Sequence, residues 1–375
     1  MTGKSALVYS EHLLKYDFGP FHPLKPERLV LTFELIKALD LLSEPDSYLC
    51  SPRIARADEI LLFHSLDHVK HVQDASGEGV GRLDLGDTPA FKGCYEVSSL
   101  VVGATLEALD LIMMKGFEHA FNPAGGLHHA HRDRASGFCI FNDAAIGIAY
   151  LRNHYGLKRI MYLDIDAHHG DGVMYGFYSD PWLLDIDFHE DGQYIFPGTG
   201  HVSEIGEGSA KGFKINIPLP PLTSDEAFTY AFDRLVPRLA GKFKPEFIIF
   251  QCGADALAED GLAHLNLTTV AYAHVTKVIH EIAHRFCLGR LVALGGGGYN
   301  LSNNTRCWSI VYSTMTGTPH NDEIPESWKA RFESVTGDHP PSKLGDTTTE
   351  SQGKKGRGIS RVVINTVQQI EAVIE

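Results

Sequence analysis

Short apolar stretches of strand length alternate with longer segments of helical period along most of the chain. Ala6 to Ser10, His119 to Phe121, Ile160 to Ile165, Trp182 to Phe188, Phe247 to Gln251 and Leu291 to Leu294 read as strands, apolar and β-prone enough to be buried. Helical period marks Leu29 to Leu42, Asp58 to Asp74, Tyr95 to Gly116, Thr223 to Gly241 and Thr268 to Arg285. Strands recurring at helix-length intervals predict an α/β fold, with a mostly parallel sheet covered by helices on both faces. Three stretches break the pattern. In YDFGPFHPLKPERL, Pro20, Pro23 and Pro26 forbid regular structure until a helix opens near Pro26. This is either a surface connection or a pocket wall with Arg28 turned inward. Ser76 to Gly93 and Asn122 to Asp143 are the other two, both read as loops. The composition changes again near Phe332, which divides a globular part, residues 1–331, from a polar tail, residues 332–375. Within the tail, HPPSKLGDTTTESQGKKGRG is expected to be mobile and Ile359 to Glu375 to form a short helix.

With 375 residues, 43% of them hydrophobic, the chain can bury a large core in one large α/β domain or two smaller ones. A net charge of -14 argues against a nucleic-acid-binding face. Six cysteines without a CxxC pair suit free thiols in a reducing compartment. No apolar run is read as long enough to cross a membrane, and Met1 to Tyr9 lacks a signal-peptide core. The expectation is a soluble cytoplasmic protein with no membrane or nucleic-acid partner, its oligomeric state open.

The strongest chemistry lies in RIMYLDIDAHHGDGVMY, Arg159 to Tyr175. Side chains alternate along a strand, so Asp164, Asp166 and His168 project to one side of its carboxyl end. Two carboxylates and an imidazole there offer a divalent metal anionic oxygen and neutral nitrogen. A strand closing in a polar turn, with Asp171-Gly172 opening a helix, would account for one acidic residue but poorly for three ionisable groups. Asp255, in FQCGADALAED, follows another buried strand and offers a third ligand. Asp166, His168 and Asp255 would leave one or two coordination positions open, as a catalytic metal requires. His128 and His129 follow a Gly-Gly turn. Alone the dipeptide reads most simply as part of a polar loop, but paired imidazoles also suit deprotonating a water and protonating a leaving amine. Asp164 and Asp171 are the carboxylates available to orient them. GGGGYN, Gly295 to Asn300, lacks the GK[ST] of a phosphate cradle. Its glycines would instead let the backbone present Tyr299 over the site, where a phenol could hydrogen-bond an oxyanion.

The segments HPLKPER, NPAGGLHHA with ASGFCIFND, LDIDAHHGDGV, YIFPGTGHVSEIGEG, GADALAED and GGGGYNLSNNTRCW, from about Phe21 to Trp308, resemble the zinc-dependent histone deacetylase superfamily. That superfamily includes acetoin-utilisation deacetylases and acetylpolyamine amidohydrolases. The resemblance implies a single-domain, arginase-like α/β fold with a sheet of about eight strands, and hydrolysis of an N-acetyl amide to amine and acetate. The substrate would be acetyl-lysine of proteins or, alternatively, an acetylpolyamine or other small acetylated amine. It further implies that Asp166, His168 and Asp255 hold zinc or ferrous iron. His129, oriented by Asp171, would be general base and acid, His128, backed by Asp164, its electrostatic partner, and Tyr299 the carbonyl-polarising hydroxyl. Gly137, Phe138 and Phe196 would wall an acyl-lysine tunnel, with Leu262 and the carboxylate of Asp87 at its rim. Arg28 would line an acetate-exit channel. A potassium ion is expected at Asp164, Asp166, His168, Asp187 and Phe188. Here the chain departs from many relatives, because Asp187 replaces a small hydroxyl residue.

Three other readings compete. His280-Glu281-Ile282-Ala283-His284 matches the zinc-protease pattern HExxH. However, Val275, Val278, Ile279, Ile282 and Phe286 cluster on one helix face, so both histidines are expected to point to solvent. A two-manganese ureohydrolase would need Asp187 or Asp260 as bridging carboxylates. A non-catalytic acyl-lysine reader would have no use for base and tyrosine together.

Overall fold

Eight strands lie parallel in one sheet: β1 (Ser5–Val8), β2 (Ser47–Cys50), β3 (His119–Asn122), β4 (Ile160–Asp164), β5 (Leu183–Glu190), β6 (Lys214–Leu219), β7 (Phe247–Gln251) and β8 (Leu291–Leu294). They are ordered β2-β1-β3-β8-β7-β4-β5-β6 in this computed structural model, which describes residues 3–84, 86–318, 321–346 and 359–374. The inner strands are buried along their whole length, because helices cover both faces and leave no side for polar alternation. The helices are α1 (Glu27–Ala38), α2 (Ala57–Ile60), α3 (Leu66–Glu78), α4 (Cys94–Met114), α5 (Asp143–Asn153), α6 (Asp171–Gly176), α7 (Asp225–Phe243), α8 (Thr269–Phe286), α9 (Leu301–Thr316), α10 (Glu326–Thr336) and α11 (Arg361–Ile374).

Alternation along β3 assigns the two layers. Asn122 donates to the Val101 carbonyl and Thr105 hydroxyl of α4 at 3.4 and 2.9 Å. Phe121, on the opposite face, packs against Trp308 and Tyr312 of α9. Pairing then sets one row of strand ends. Asn122 lies opposite Leu294, Leu294 opposite Gln251, Gln251 opposite Asp164, and Asp164 opposite Asp187. Five loops distant in sequence therefore leave the sheet side by side, at its carboxyl edge.

The edge strands β2 and β6 escape the apolar pattern. In β2 the side chains of Tyr48 and Leu49 are exposed, and β6 interleaves Lys214, Asn216 and Pro218 with its apolar residues. Helix α4 is, by length and composition, apolar enough to span a membrane, which corrects the sequence expectation. It is a core helix, mostly buried against β1, β3 and α5. Helix α10 runs across the division drawn at residue 332. Trp328 and Phe332 enclose a second apolar cluster with Leu31, Leu35, Ile310 and Leu344. The terminal helix is α11, whose Val363, Val367 and Ile370 join the main core. The segment expected to be mobile falls largely on residues 347–358, outside the described residues.

Candidate active site

The row of strand ends brings the charged motifs together. One donor atom each from Asp166, His168 and Asp255 lies within 4.8 Å of the others, and all three residues are buried. His168 Nδ1 faces Asp255 Oδ2 at 2.9 Å and Asp166 Oδ1 at 3.3 Å. The outer oxygens are fixed by backbone donors: Gly297 N–H to Asp166 Oδ2 at 2.7 Å and Ala167 N–H to Asp255 Oδ1 at 2.8 Å. Burial opposes charge on His168, but hydrogen bonds to both carboxylates prevail and push its pKa up to about 10. The three donor atoms thus converge on one point. A divalent cation fits there, since two carboxylates and one imidazole are a hard–borderline donor set with room for further ligands.

Beside this trio, His128 Nδ1 lies 2.8 Å from Asp164 Oδ2, and His129 Nδ1 lies 2.8 Å from Asp171 Oδ1. The two Nε2 atoms approach to 3.0 Å. Both rings are desolvated, which disfavours the imidazolium. For His128 the carboxylates of Asp164 and Asp166 outweigh burial and push the pKa up to about 10. For His129 burial, reinforced by the His128 charge, prevails over Asp171 and brings it down to about 4. One imidazole is thus a cation and its neighbour a neutral base.

The glycine run after β8 passes directly over the acidic groups. A Cβ on Gly297 would stand 2.1 Å from Asp255 Oδ2, and Gly296 adopts φ +93°, a left-handed backbone that favours glycine. The run carries Tyr299 to the other side of the trio. Its N–H donates to Asp260 at 2.8 Å, and its ring centre lies 6.4 Å from that of His168. Burial, with Asp255 and Asp166 nearby, holds the phenol well above its usual pKa, so it is a neutral O–H donor.

A cavity of about 320 Å³ opens above these groups. Asp87, Gly137, Phe138, Phe196 and Leu262 line it together with His129, His168 and Tyr299, so every residue read as tunnel or rim is gathered there. A smaller space, bounded by His128, Asp166 and Tyr299, shares Leu24 and Leu127 with a third that Arg28 lines. Arg28 is turned inward. Its Nη1 donates to the Gly296 carbonyl at 2.6 Å, and its guanidinium lies over Trp308.

Asp187 is buried with Asp164, and Gly170 sits between them. A Cβ at Gly170 would lie 2.8 Å from Asp164 Oδ2 and 3.1 Å from Asp187 Oδ2. Asp187 also accepts from His189 Nδ1 at 2.6 Å and from Gly170 N–H at 2.8 Å. Phe188 turns its ring into the core against Phe228 and Phe232, which leaves only its backbone on this side. Asp260 accepts from the N–H groups of Tyr299 and Leu262. Neither Asp187 nor Asp260 joins the acidic trio as a metal-competent group among the described residues. His280 and His284 do not simply face solvent as expected, for His280 is half-buried against the ring of His119.

Sequence reading overlooked several supports. Tyr16 donates to the Phe138 carbonyl at 2.7 Å and accepts from Ile140 N–H at 3.1 Å. Asp143 accepts from the N–H groups of Gly126 and Leu127, which sets the turn into the His pair. Asn142 caps α5 and donates to the His128 and Ala130 carbonyls. The FND triplet held that signal, since an asparagine before a helical run reads as an N-cap.

Residues 22–315 match the family described as histone deacetylase domain. The acetoin utilization protein AcuC of Bacillus subtilis is 39% identical over 351 residues, covering 91% of this chain and 90% of that protein. AcuC of Staphylococcus xylosus is 35% identical over 342 residues, 89% of this chain and 88% of its own. The crystal structure of an HDAC homolog from Aquifex aeolicus superposes with a TM-score of 0.85 at 32% identity, covering 98% of this chain and 100% of that one.

Proposed function

Since the chain belongs to the histone deacetylase family and is a deacetylase of the AcuC type, we propose that it hydrolyses the acetyl amide of acetylated lysine in proteins, with acetylpolyamines or other small acetylated amines as the second class. The observation that carries this is the 320 Å³ cavity, whose aromatic walls lead from the Asp87 rim to His129, His168 and Tyr299. An apolar acyl-amine stem can lie between Phe138 and Phe196 while its amide reaches the buried polar groups.

Asp166, His168 and Asp255 would hold one divalent ion, zinc or ferrous iron. When bound, the ion supplies Lewis-acid polarisation of the acetyl carbonyl and acidifies a neighbouring water. The chain's own groups divide the proton work. Asp171 fixes the Nδ1 proton of His129, so its unprotonated Nε2, which the His128 ring faces at 3.0 Å, is the nitrogen that takes the proton of the attacking water. The same nitrogen returns it to the departing amine. His128, kept cationic by Asp164, stabilises the negative charge that develops beside it. The Tyr299 hydroxyl donates to the tetrahedral oxyanion, and the Arg28-lined space offers acetate a route and a counter-charge.

Potassium is proposed between Asp164 and Asp187, where two buried carboxylates flank Gly170. Replacing potassium with tetramethylammonium should then lower both Tm and turnover, and unchanged values would remove the ion from the account. The cytoplasm is the proposed location, consistent with six free cysteines.

The test is turnover of a panel of acetyl-lysine peptides, acetylpolyamines and small acetylated amines, with metal measured on the same samples. One catalytic ion per chain and hydrolysis led by the peptides support the reading. Two ions at the trio would favour the ureohydrolase alternative, and binding without hydrolysis the acyl-lysine reader.

A further inference from the structure

The HExxH segment does not form the catalytic centre, yet its two histidines are not idle. His280 and His284 stand on successive turns of α8 with their Nε2 atoms 3.2 Å apart. A third imidazole meets them from the sheet. His119 opens β3, is fully buried, and its ring centre lies 4.7 Å from that of His280 and 5.2 Å from that of His284. One nitrogen from each ring falls within 4.8 Å of the others. We propose that His119, His280 and His284 form a second metal site, which takes a divalent transition ion such as zinc and ties α8 to the sheet.

Three independent observations support it. First, neither ring nitrogen of His119 makes a hydrogen bond of normal geometry although the residue is fully buried. The Gly289 and Glu118 backbone lies close enough only to raise its basicity slightly. An unmet buried donor or acceptor is costly, and coordination would satisfy one nitrogen. Second, the spacing is that of ligands. Metal–nitrogen bonds of about 2.0–2.1 Å at tetrahedral angles put nitrogens about 3.3–3.4 Å apart, close to the 3.2 Å between His280 and His284. Third, Glu118 stands behind the cluster. Its Oε2, buried and without a hydrogen bond, faces His284 Nδ1 at 4.0 Å, the side away from His280. A carboxylate behind a ligating histidine orients it and raises its basicity.

Imidazoles without thiolate or multiple carboxylates select zinc, nickel, copper or cobalt over calcium and magnesium. The exposed side of His284 gives an entry path and room for a water as fourth ligand. His119 begins β3, whereas the catalytic loop leaves its other end at Asn122. The ion would therefore act on stability rather than chemistry.

The test isolates the remote cluster in full-length protein by changing a catalytic-metal candidate, Asp255→Ala. That protein should bind one equivalent of zinc in equilibrium dialysis and gain about 3–6 °C in Tm with it. Adding His280→Ala and His284→Ala should abolish both effects, and adding His119→Phe alone should do the same. In the otherwise unaltered chain, His280→Ala with His284→Ala should lose one of two zinc equivalents yet keep deacetylase turnover. Zinc bound equally well after the histidine changes, or not bound by Asp255→Ala protein at all, would overturn the site.

Discussion

His128 Nε2 and His129 Nε2 stand 3.0 Å apart, each ring backed at Nδ1 by its own carboxylate, yet one is held charged and the other neutral. The asymmetry arises from their surroundings. His128 sees Asp164, Asp166 and Asp187, whereas His129 sees Asp171 and two imidazoles, His128 and His168.

This arrangement fixes the pH profile. His129 must be neutral to accept a proton, and its pKa lies below 6.5, at about 4. The acid limb of kcat/KM should therefore fall well below neutrality. In the proposed mechanism His128 acts as a cation, and its pKa is raised to about 10, so activity should fade only as pH rises toward that value. Replacing His128 with Gln removes the neighbouring cation and should move the acid limb upward. A limb fixed near 6.5 in both proteins would contradict the assignment.

Tyr299 should act on turnover rather than on binding. Its backbone is held by Asp260 and its ring lines the cavity, so Tyr299→Phe keeps the packing and removes the proposed oxyanion donor. The loss in kcat should be about 100-fold or more, with KM and Tm near the parent values. Steady-state kinetics on one acetyl-lysine peptide measures both quantities.

The glycines above the acidic trio offer a direct check on the metal. At Gly297 an added Cβ would stand 2.1 Å from Asp255 Oδ2, whereas at Gly261 the nearest atom would be Tyr299 Cβ at 3.8 Å. Gly297→Ala must displace Asp255, so it should lose catalytic metal and activity together. Gly261→Ala should keep both. Elemental analysis of the two variants decides, and full metal content in the first would show that Asp255 is no ligand.

Much of this was legible in the sequence because period and chemistry coincide. The buried run before Asp164 is unmistakably a strand, and alternation then places Asp166 and His168 on one side. The inner strands β4, β7 and β8 were found for the same reason. Edge strand β2 exposes the adjacent Tyr48 and Leu49, and β6 is interrupted by Lys214, Asn216 and Pro218, so neither shows such a run. Helix α5 hides inside the FND motif, and α9 opens with the polar stretch LSNNTRCW, so chemistry masked periodicity in both. The row Asn122, Leu294, Gln251, Asp164, Asp187 arises from strand order, which local pattern does not encode. The same limit explains His119: helical phase put His280 and His284 off the apolar face of α8, but nothing local announced a third imidazole beneath them.

Tyr16 belongs to the same class of long-range support, and its role can be measured. Phe138, which lines the 320 Å³ cavity, adopts φ +67°, a conformation that non-glycine residues rarely hold without help. The Tyr16 hydroxyl donates to its carbonyl and accepts from Ile140 N–H, while Thr88 Oγ1 accepts from Phe138 N–H at 3.0 Å. Tyr16→Phe leaves the part-buried Phe138 carbonyl and the buried Ile140 N–H without this partner, the latter at a cost of about 1–3 kcal/mol. Because the strained residue borders the substrate path and not the reacting atoms, relaxation should raise KM for acetyl-lysine peptides more than it lowers kcat. Metal content should stay at the parent level. An unaltered KM with a large fall in kcat would mean that Phe138 is held in place without Tyr16, and that the tyrosine acts on the His129 side of the cavity.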